Sequence, residues 1–141
     1  MHCRSQFHIR VKLPYAQAFA LFGAWKERDW DPDWRPRFVH PEPARDQEGA
    51  VFVVDNRVWI NTCFDVRTGH VQYAHVRDKS LVTRIDICLG ESIRGETAVT
   101  VVYERTALDE TAAAEIAEFA RTDPQQGREW ERLIEAYIRS R

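Results

Sequence analysis

The run Val71-Gln72-Tyr73-Ala74-His75-Val76-Arg77, the turn Asp78-Lys79-Ser80 and the run Leu81-Val82-Thr83-Arg84-Ile85-Asp86-Ile87-Cys88-Leu89 decide the fold. In the first run Val71, Tyr73 and His75 share a face. In the second, Thr83, Ile85 and Ile87 oppose Arg84, Asp86 and Cys88. A period of two with one mostly apolar face predicts strands lying on a core. A three-residue polar connection makes them an antiparallel hairpin.

The pattern extends in both directions. After a turn around Gly90–Gly95, Glu96–Thr106 places Val99, Val101 and Tyr103 opposite Thr100, Val102 and Glu104. Before it, Val58–Val66 ends at Arg67-Thr68-Gly69, and Val51–Val54 ends at the turn signal Asp55-Asn56. At the far N-terminal side Phe7, Ile9, Val11 and Leu13 alternate with His8, Arg10 and Lys12. Pro14 stops that strand and suits the first turn of a helix. Tyr15, Ala18, Phe19 and Phe22 follow at helical spacing, and a second short helix is expected from Ala24 to about Asp29. The prolines of Trp30–Pro41 exclude regular helix and predict an ordered loop pinned by Trp30, Trp34 and Phe38. Glu42–Glu48 reads as polar turn.

The last third is helical. Asp109 is placed to cap a run of strong helix formers, with Ile116, Phe119 and Ala120 as the apolar stripe. Asp123-Pro124 looks like a fresh cap and first turn, and Trp130, Leu133, Ile134, Tyr137 and Ile138 continue the stripe. Two helical segments, or one helix kinked near Pro124, are expected. The fold class is therefore α+β. A curved antiparallel sheet of about seven strands wraps a long C-terminal helix, with two short helices between strands one and two. No other element is long enough to cover the sheet's apolar face.

Composition narrows the function. A chain of 141 residues predicts a single domain, 1–141. A net charge of -2 supports no nucleic-acid partner. Cys3, Cys63 and Cys88 form neither a disulfide framework nor a C-x-x-C pair, which predicts free thiols in a reducing cytoplasm. No apolar run is long enough for a membrane span, and Met1–Ser5 leads into a strand rather than a signal-peptide core.

Several stretches carry a family resemblance. They are Pro14-Tyr15-Ala16-Gln17-Ala18-Phe19-Ala20-Leu21-Phe22, Trp30-x-x-x-Trp34-x-Pro36, Gly49-Ala50-Val51-Phe52, Trp59, Gly69-His70-Val71-Gln72-Tyr73, and Thr97–Thr106 with Ala107-Leu108. In this order and spacing the chain resembles small uncharacterised bacterial members of the START-like, or SRPBCC, superfamily. That superfamily has the helix-grip fold of birch-pollen-type allergens and polyketide cyclases. The resemblance implies a cavity between sheet and final helix that holds a small hydrophobic molecule. It spans nearly the whole chain, and Thr122-Asp123-Pro124 departs from the family's uninterrupted final helix.

Candidate lining residues follow from strand parity and helix spacing. Val99, Val101 and Tyr103 share one face, as do Tyr73 and His75. On Val58–Val66 one face carries Trp59, Asn61, Cys63 and Asp65, and the other Val58, Ile60, Thr62 and Phe64. Both contain apolar members, and the resemblance favours Trp59 inward. Phe119, Trp130, Leu133 and Tyr137 would face the sheet from the helix, and Trp30 and Trp34 would form one mouth. Such aromatics also serve as plain core. An empty ligand-sized void of ~300 Å³ would cost roughly 7 kcal/mol, so a small or partly filled cavity is expected.

No catalytic motif, metal-ligand spacing or cofactor fingerprint is present. His70 and His75 fall on opposite faces of one strand and cannot share a metal there. Three functions remain open: a carrier of a small hydrophobic molecule, a cyclase- or dehydratase-like enzyme using Tyr73, His75, Asn61 or Asp65, and a protein-interaction module of the chaperone-activator type. The chain is expected as a monomer or as a homodimer, the latter through a free sheet edge such as Val51–Val54.

Overall fold

The computed structural model describes residues 1–141. The chain runs β1 (His2–Val11), α1 (Tyr15–Ala20), a 3₁₀ turn (Lys26–Asp29), β2 (Arg37–His40), β3 (Val51–Val54), β4 (Arg57–Asp65), β5 (His70–Arg77), β6 (Leu81–Ile93), β7 (Glu96–Ala107) and α2 (Glu110–Ser140). One seven-stranded antiparallel sheet has the order β1-β7-β6-β5-β4-β3-β2. The curved sheet grips α2.

Three expectations change. Arg37–His40, expected as loop, is the edge strand β2; Phe38 pairs with Phe52 in register and stacks on it at 4.9 Å between ring centroids. Prolines flank this strand without falling inside it. β3 is consequently paired on both sides and offers no free edge for dimerisation.

Of the two forms expected for the final helix, the interrupted one does not occur. α2 passes through Pro124 as one element. Asp123 does not cap a new segment because its carboxylate is committed to Arg105, at 2.8 and 3.0 Å, and accepts from Ser5 as well. The true N-cap is Asp109, which accepts from the Ala112 N–H at 2.8 Å. Gly127, four residues from the start of the supposed second segment, has a packing role. A Cβ there would lie 2.5 Å from Phe7 Cδ1, so glycine lets the helix sit directly on β1.

The core is divided along α2. The main cluster takes Trp130 and Ile134 from the C-terminal half, with Phe7, Phe22, Trp30 and the inward residues of β5, β6 and β7. The N-terminal half rests on a small separate cluster of Leu81, Ala112 and Ile116. β1's outer edge is partly closed by the helix, since the Arg10 N–H donates to Glu131 at 2.8 Å.

Strand β4 contains a bulge between Asn61 and Cys63. Before it Asn61 is buried and Trp59 packs on the core, while Val58 and Ile60 are exposed. After it the phase changes, and Phe64 turns in against Phe19 at 4.9 Å. The extra residue is why Phe64, on the parity of the exposed Val58 and Ile60, faces the core. On the convex face Val53, Val58, Val76 and Val82 stand in register across four strands, the last three exposed. No helix is long and apolar enough to cross a membrane.

Candidate functional site

Cross-strand register sorts the concave face into rows. Leu89, Val99 and Ile9 form one row, and Val71, Ile87, Val101 and Phe7 the next; both are apolar and buried. The third row is Asn61, Tyr73, Ile85, Tyr103 and Ser5. The fourth is Trp59, His75, Thr83 and Arg105, and a fifth begins Arg57, Arg77 and Leu81. β1, β5 and β7 thus pass from aliphatic to aromatic to polar side chains along this face, and β6 from aliphatic side chains to Thr83.

The helix closes the apolar end. Trp130 meets Phe7, Trp30 and Phe22 with ring centroids at 5.6, 5.8 and 6.3 Å. Over the remaining rows a cavity stays open in two adjoining lobes. An apolar lobe of about 180 Å³ is walled by Ala24, Trp34, Trp59, Tyr73, Ile85, Ile87, Tyr103 and Trp130, with Glu27, Asp31 and Gln126 at its rim. A polar lobe of about 230 Å³ is walled by Arg57, His75, Thr83, Arg105, Phe119 and Asp123 among others. Trp59, Ile85, Tyr103 and Gln126 belong to both. The small cavity expected from the aromatic content is what the chain has.

The candidate residues divide accordingly. Trp34, Trp59, Tyr73, Tyr103 and Trp130 wall the apolar lobe, and His75 and Phe119 the polar one. Asn61 is fully buried behind them. Val99 and Val101 lie in the packed rows, away from either lobe. Trp30 is a clasp: it is buried and its Nε1–H donates to the Leu21 carbonyl at 2.7 Å. Tyr137 sits further along α2, half-buried, with Lys26 Nζ 5.5 Å from its ring. Asp65 is excluded from the cavity, because it accepts from Arg67 N–H in the following turn.

Sequence reasoning missed Arg57, Thr83, Arg105, Asp123, Glu27 and Gln126. Parity with Tyr103 and Ile85 does place Arg105 and Thr83 inward, but nothing local says that an arginine would find a buried acid 18 positions later.

Electrostatics differ between the lobes. Tyr73 donates to the Phe22 carbonyl at 2.8 Å, and burial holds its hydroxyl well above the usual tyrosine range. Tyr103 is likewise pushed up by burial. His75 stacks on Trp59 at 4.2 Å; burial, with Arg57 and Arg105 nearby, lowers it to about 3, so the ring is neutral at physiological pH. Glu27 is pushed well above the usual carboxyl range by desolvation, with Asp31 and Asp46 adding like charge. Arg105 and Asp123 form a buried bidentate pair, with the guanidinium 4.4 Å from the Tyr103 ring.

Four buried polar atoms have no partner within the protein: Trp59 Nε1, Asn61 Oδ1, His75 Nδ1 and Thr83 Oγ1. Each such atom costs roughly 1–3 kcal/mol if left dry. A domain with only ~5–15 kcal/mol of stability does not leave four of them dry, so their partners come from outside the chain. No three His, Cys, Asp or Glu side chains gather as a metal site.

The architecture is the helix-grip fold. Solved structures with the same fold include Ara h 8.0201, at 14% identity, TM-score 0.71 and full coverage of both chains. Norcoclaurine synthase from Thalictrum flavum, in complex with dopamine and hydroxybenzaldehyde, aligns at 9% identity and TM-score 0.69, covering 100% of this chain and 89% of that one. An uncharacterised protein from Rhizobium leguminosarum aligns at 14% identity and TM-score 0.67, covering 100% and 97%. No family model and no curated protein sequence matches the chain.

Proposed function

We propose that the chain binds and carries a small, largely apolar molecule in the cavity between β4–β7 and α2. The observation that carries this reading is the apolar lobe of about 180 Å³ walled by Trp34, Trp59 and Trp130. An apolar cavity of ~150 Å³ suffices for benzene, so this lobe fits one ring or a short branched chain. If dry, a void of this size would cost about 4 kcal/mol, which occupancy offsets. The complex of norcoclaurine synthase with two small aromatic compounds supports the reading by analogy of fold. Three free cysteines fit the expected reducing cytoplasm.

Native mass spectrometry of freshly purified protein tests it, followed by titration of neutral single-ring and short-chain compounds against tryptophan fluorescence. Bound small molecule, or saturable quenching that weakens in Trp34→Ala, is the expected result. No bound species and no saturable response across the series removes the carrier reading.

A second reading, a cyclase- or dehydratase-like enzyme, is favoured by one observation. Glu27 is a carboxyl raised by desolvation on the rim of the apolar lobe, a place and state suited to proton transfer. Tyr73 is less suited, with its hydroxyl tied to a backbone carbonyl. Chemical turnover of a bound compound that is lost in Glu27→Gln, with binding retained, selects this reading. The interaction-module reading has the exposed valine row of the convex face in its favour.

A further inference from the structure

We infer that the lobe beside Arg57 is a carboxylate subsite, and that the ligand is an amphipathic monocarboxylic acid whose apolar body lies against Trp34, Trp59 and Trp130. The inference rests on the carrier reading and names its ligand class.

The polar lobe has an excess of donors. Trp59 Nε1–H can only donate, Thr83 Oγ carries a proton to give, and neither has a protein partner. Arg57 brings five more N–H groups. The one carboxylate in the wall is already committed, both Asp123 oxygens being taken by Arg105 and one also by Ser5. The neutral His75 ring offers one donor and one acceptor and leaves the excess of donors unchanged. A group that completes this lobe is therefore rich in acceptors.

Charge gives the same answer. Three arginines lie at this end of the sheet. Arg105 is paired with Asp123, and Arg77 with Glu115 at 2.8 Å. Arg57 lines the lobe and forms no ion pair. His75 is neutral. Arg57 is thus the one charge lining the lobe without a direct ion-pair partner, Glu115 and Asp55 acting on it only from beyond ion-pair distance, which suits a monoanion better than a phosphate dianion. Burial, and repulsion from Arg77 and Arg105, hold Arg57 below its usual range, and an anion beside it would relieve both. A planar carboxylate also matches the guanidinium fork in a way that a neutral amide does not. The two lobes are contiguous through Trp59, Ile85, Tyr103 and Gln126, so one molecule can span them.

The test is isothermal titration of the full chain at neutral pH with matched pairs: phenylacetic to phenylhexanoic acids and octanoic acid, each against its primary amide. At least one acid should bind roughly tenfold or more tightly than its amide. In Arg57→Met that acid should bind no better than the amide. Arg57→Lys should restore part of the preference, because a lysine supplies charge without the fork. Thr83→Val, close in shape, should lose several-fold for the acid; with Arg57→Lys it carries the test if Arg57→Met does not melt cooperatively. Acids and amides binding alike in the wild type, or an acid preference that survives Arg57→Met, overturns the subsite and leaves the carrier reading standing. If no acid and no amide binds, both fall.

Discussion

Along β6 the inward side chains run Leu89, Ile87, Ile85, Thr83, and along β7 they run Val99, Val101, Tyr103, Arg105. The same two strands therefore build two unlike ends. At the Leu89–Val99 end the helix is pressed onto the sheet by Gly127, and Trp130 fills the space. At the Thr83–Arg105 end the helix is held by an ion pair, and space remains. Apolar contact is non-directional and closes a gap wherever volume allows. A buried ion pair fixes a distance and orientation, and its neighbours must match it or stay open. The cavity lies where the second kind of support takes over from the first.

The sharpest way to break this contrast is at the ion pair. Arg105→Met leaves Asp123 buried without its countercharge and should cost about 3–5 kcal/mol in urea denaturation. Adding Asp123→Leu should recover most of that loss, because a packed apolar pair replaces a desolvated ionic one. If the double variant is no better than the single, the pair is not what holds this end.

A second break is at Gly127. Alanine there forces a Cβ into the Phe7 ring, a steric cost of about 1–3 kcal/mol against a helix-propensity gain of about 1. A net loss is expected, reversed by Phe7→Leu. A stabilised Gly127→Ala would mean that the apolar end is looser than it looks.

Protonation sharpens the contrast at the polar end. His75 is held near 3 in the folded chain against 6.5 for a free side chain, so the unfolded chain takes up the proton first. Its contribution is fully present above about pH 6.5 and is lost as pH falls towards 3, at up to ~1.4 kcal/mol per pH unit. In His75→Phe the fall in stability across that window should flatten, so that its difference from wild type changes with pH; a profile parallel to wild type would show that His75 is not the titrating group.

The smallest effect is at the rim. Glu27 is raised above its ordinary value, so its ionisation weakens the fold as pH rises past the usual carboxyl range. Glu27→Gln should raise Tm slightly at pH 7 and leave it unchanged at pH 4. A lowered Tm at pH 7 would mean that the carboxylate has a favourable partner.

The rows of the concave face were half legible in the chain. Parity alone gives Val99, Val101 and Tyr103, or Tyr73 and His75, as single faces. It cannot place His75 opposite Trp59 and Thr83, because that depends on turn lengths and on the bulge after Asn61. Hydrophobicity could not choose a face of β4 because Val58 and Ile60 are apolar yet exposed, and because the bulge turns Phe64, on their parity, inward. Asp123-Pro124 misled for a physical reason: an acid before proline looks the same whether it caps a helix or reaches across to an arginine. β2 was hidden because its pairing with β3 spans a loop that carries no periodic signal.

The division of the core beneath α2 has a kinetic consequence. The first half of the helix is fastened by Ala112, Ile116 and the Arg105–Asp123 pair, the second by the large cluster around Trp130 and Ile134. Pro124 withholds an amide proton between them, so the two halves share one hydrogen bond fewer than a plain helix would. Amide exchange should accordingly be faster over Glu110–Thr122 than over Gly127–Tyr137. Phe119, Thr122 and Asp123 line the polar lobe on the N-terminal side of Pro124, so that more readily opening half is where a guest would enter and leave.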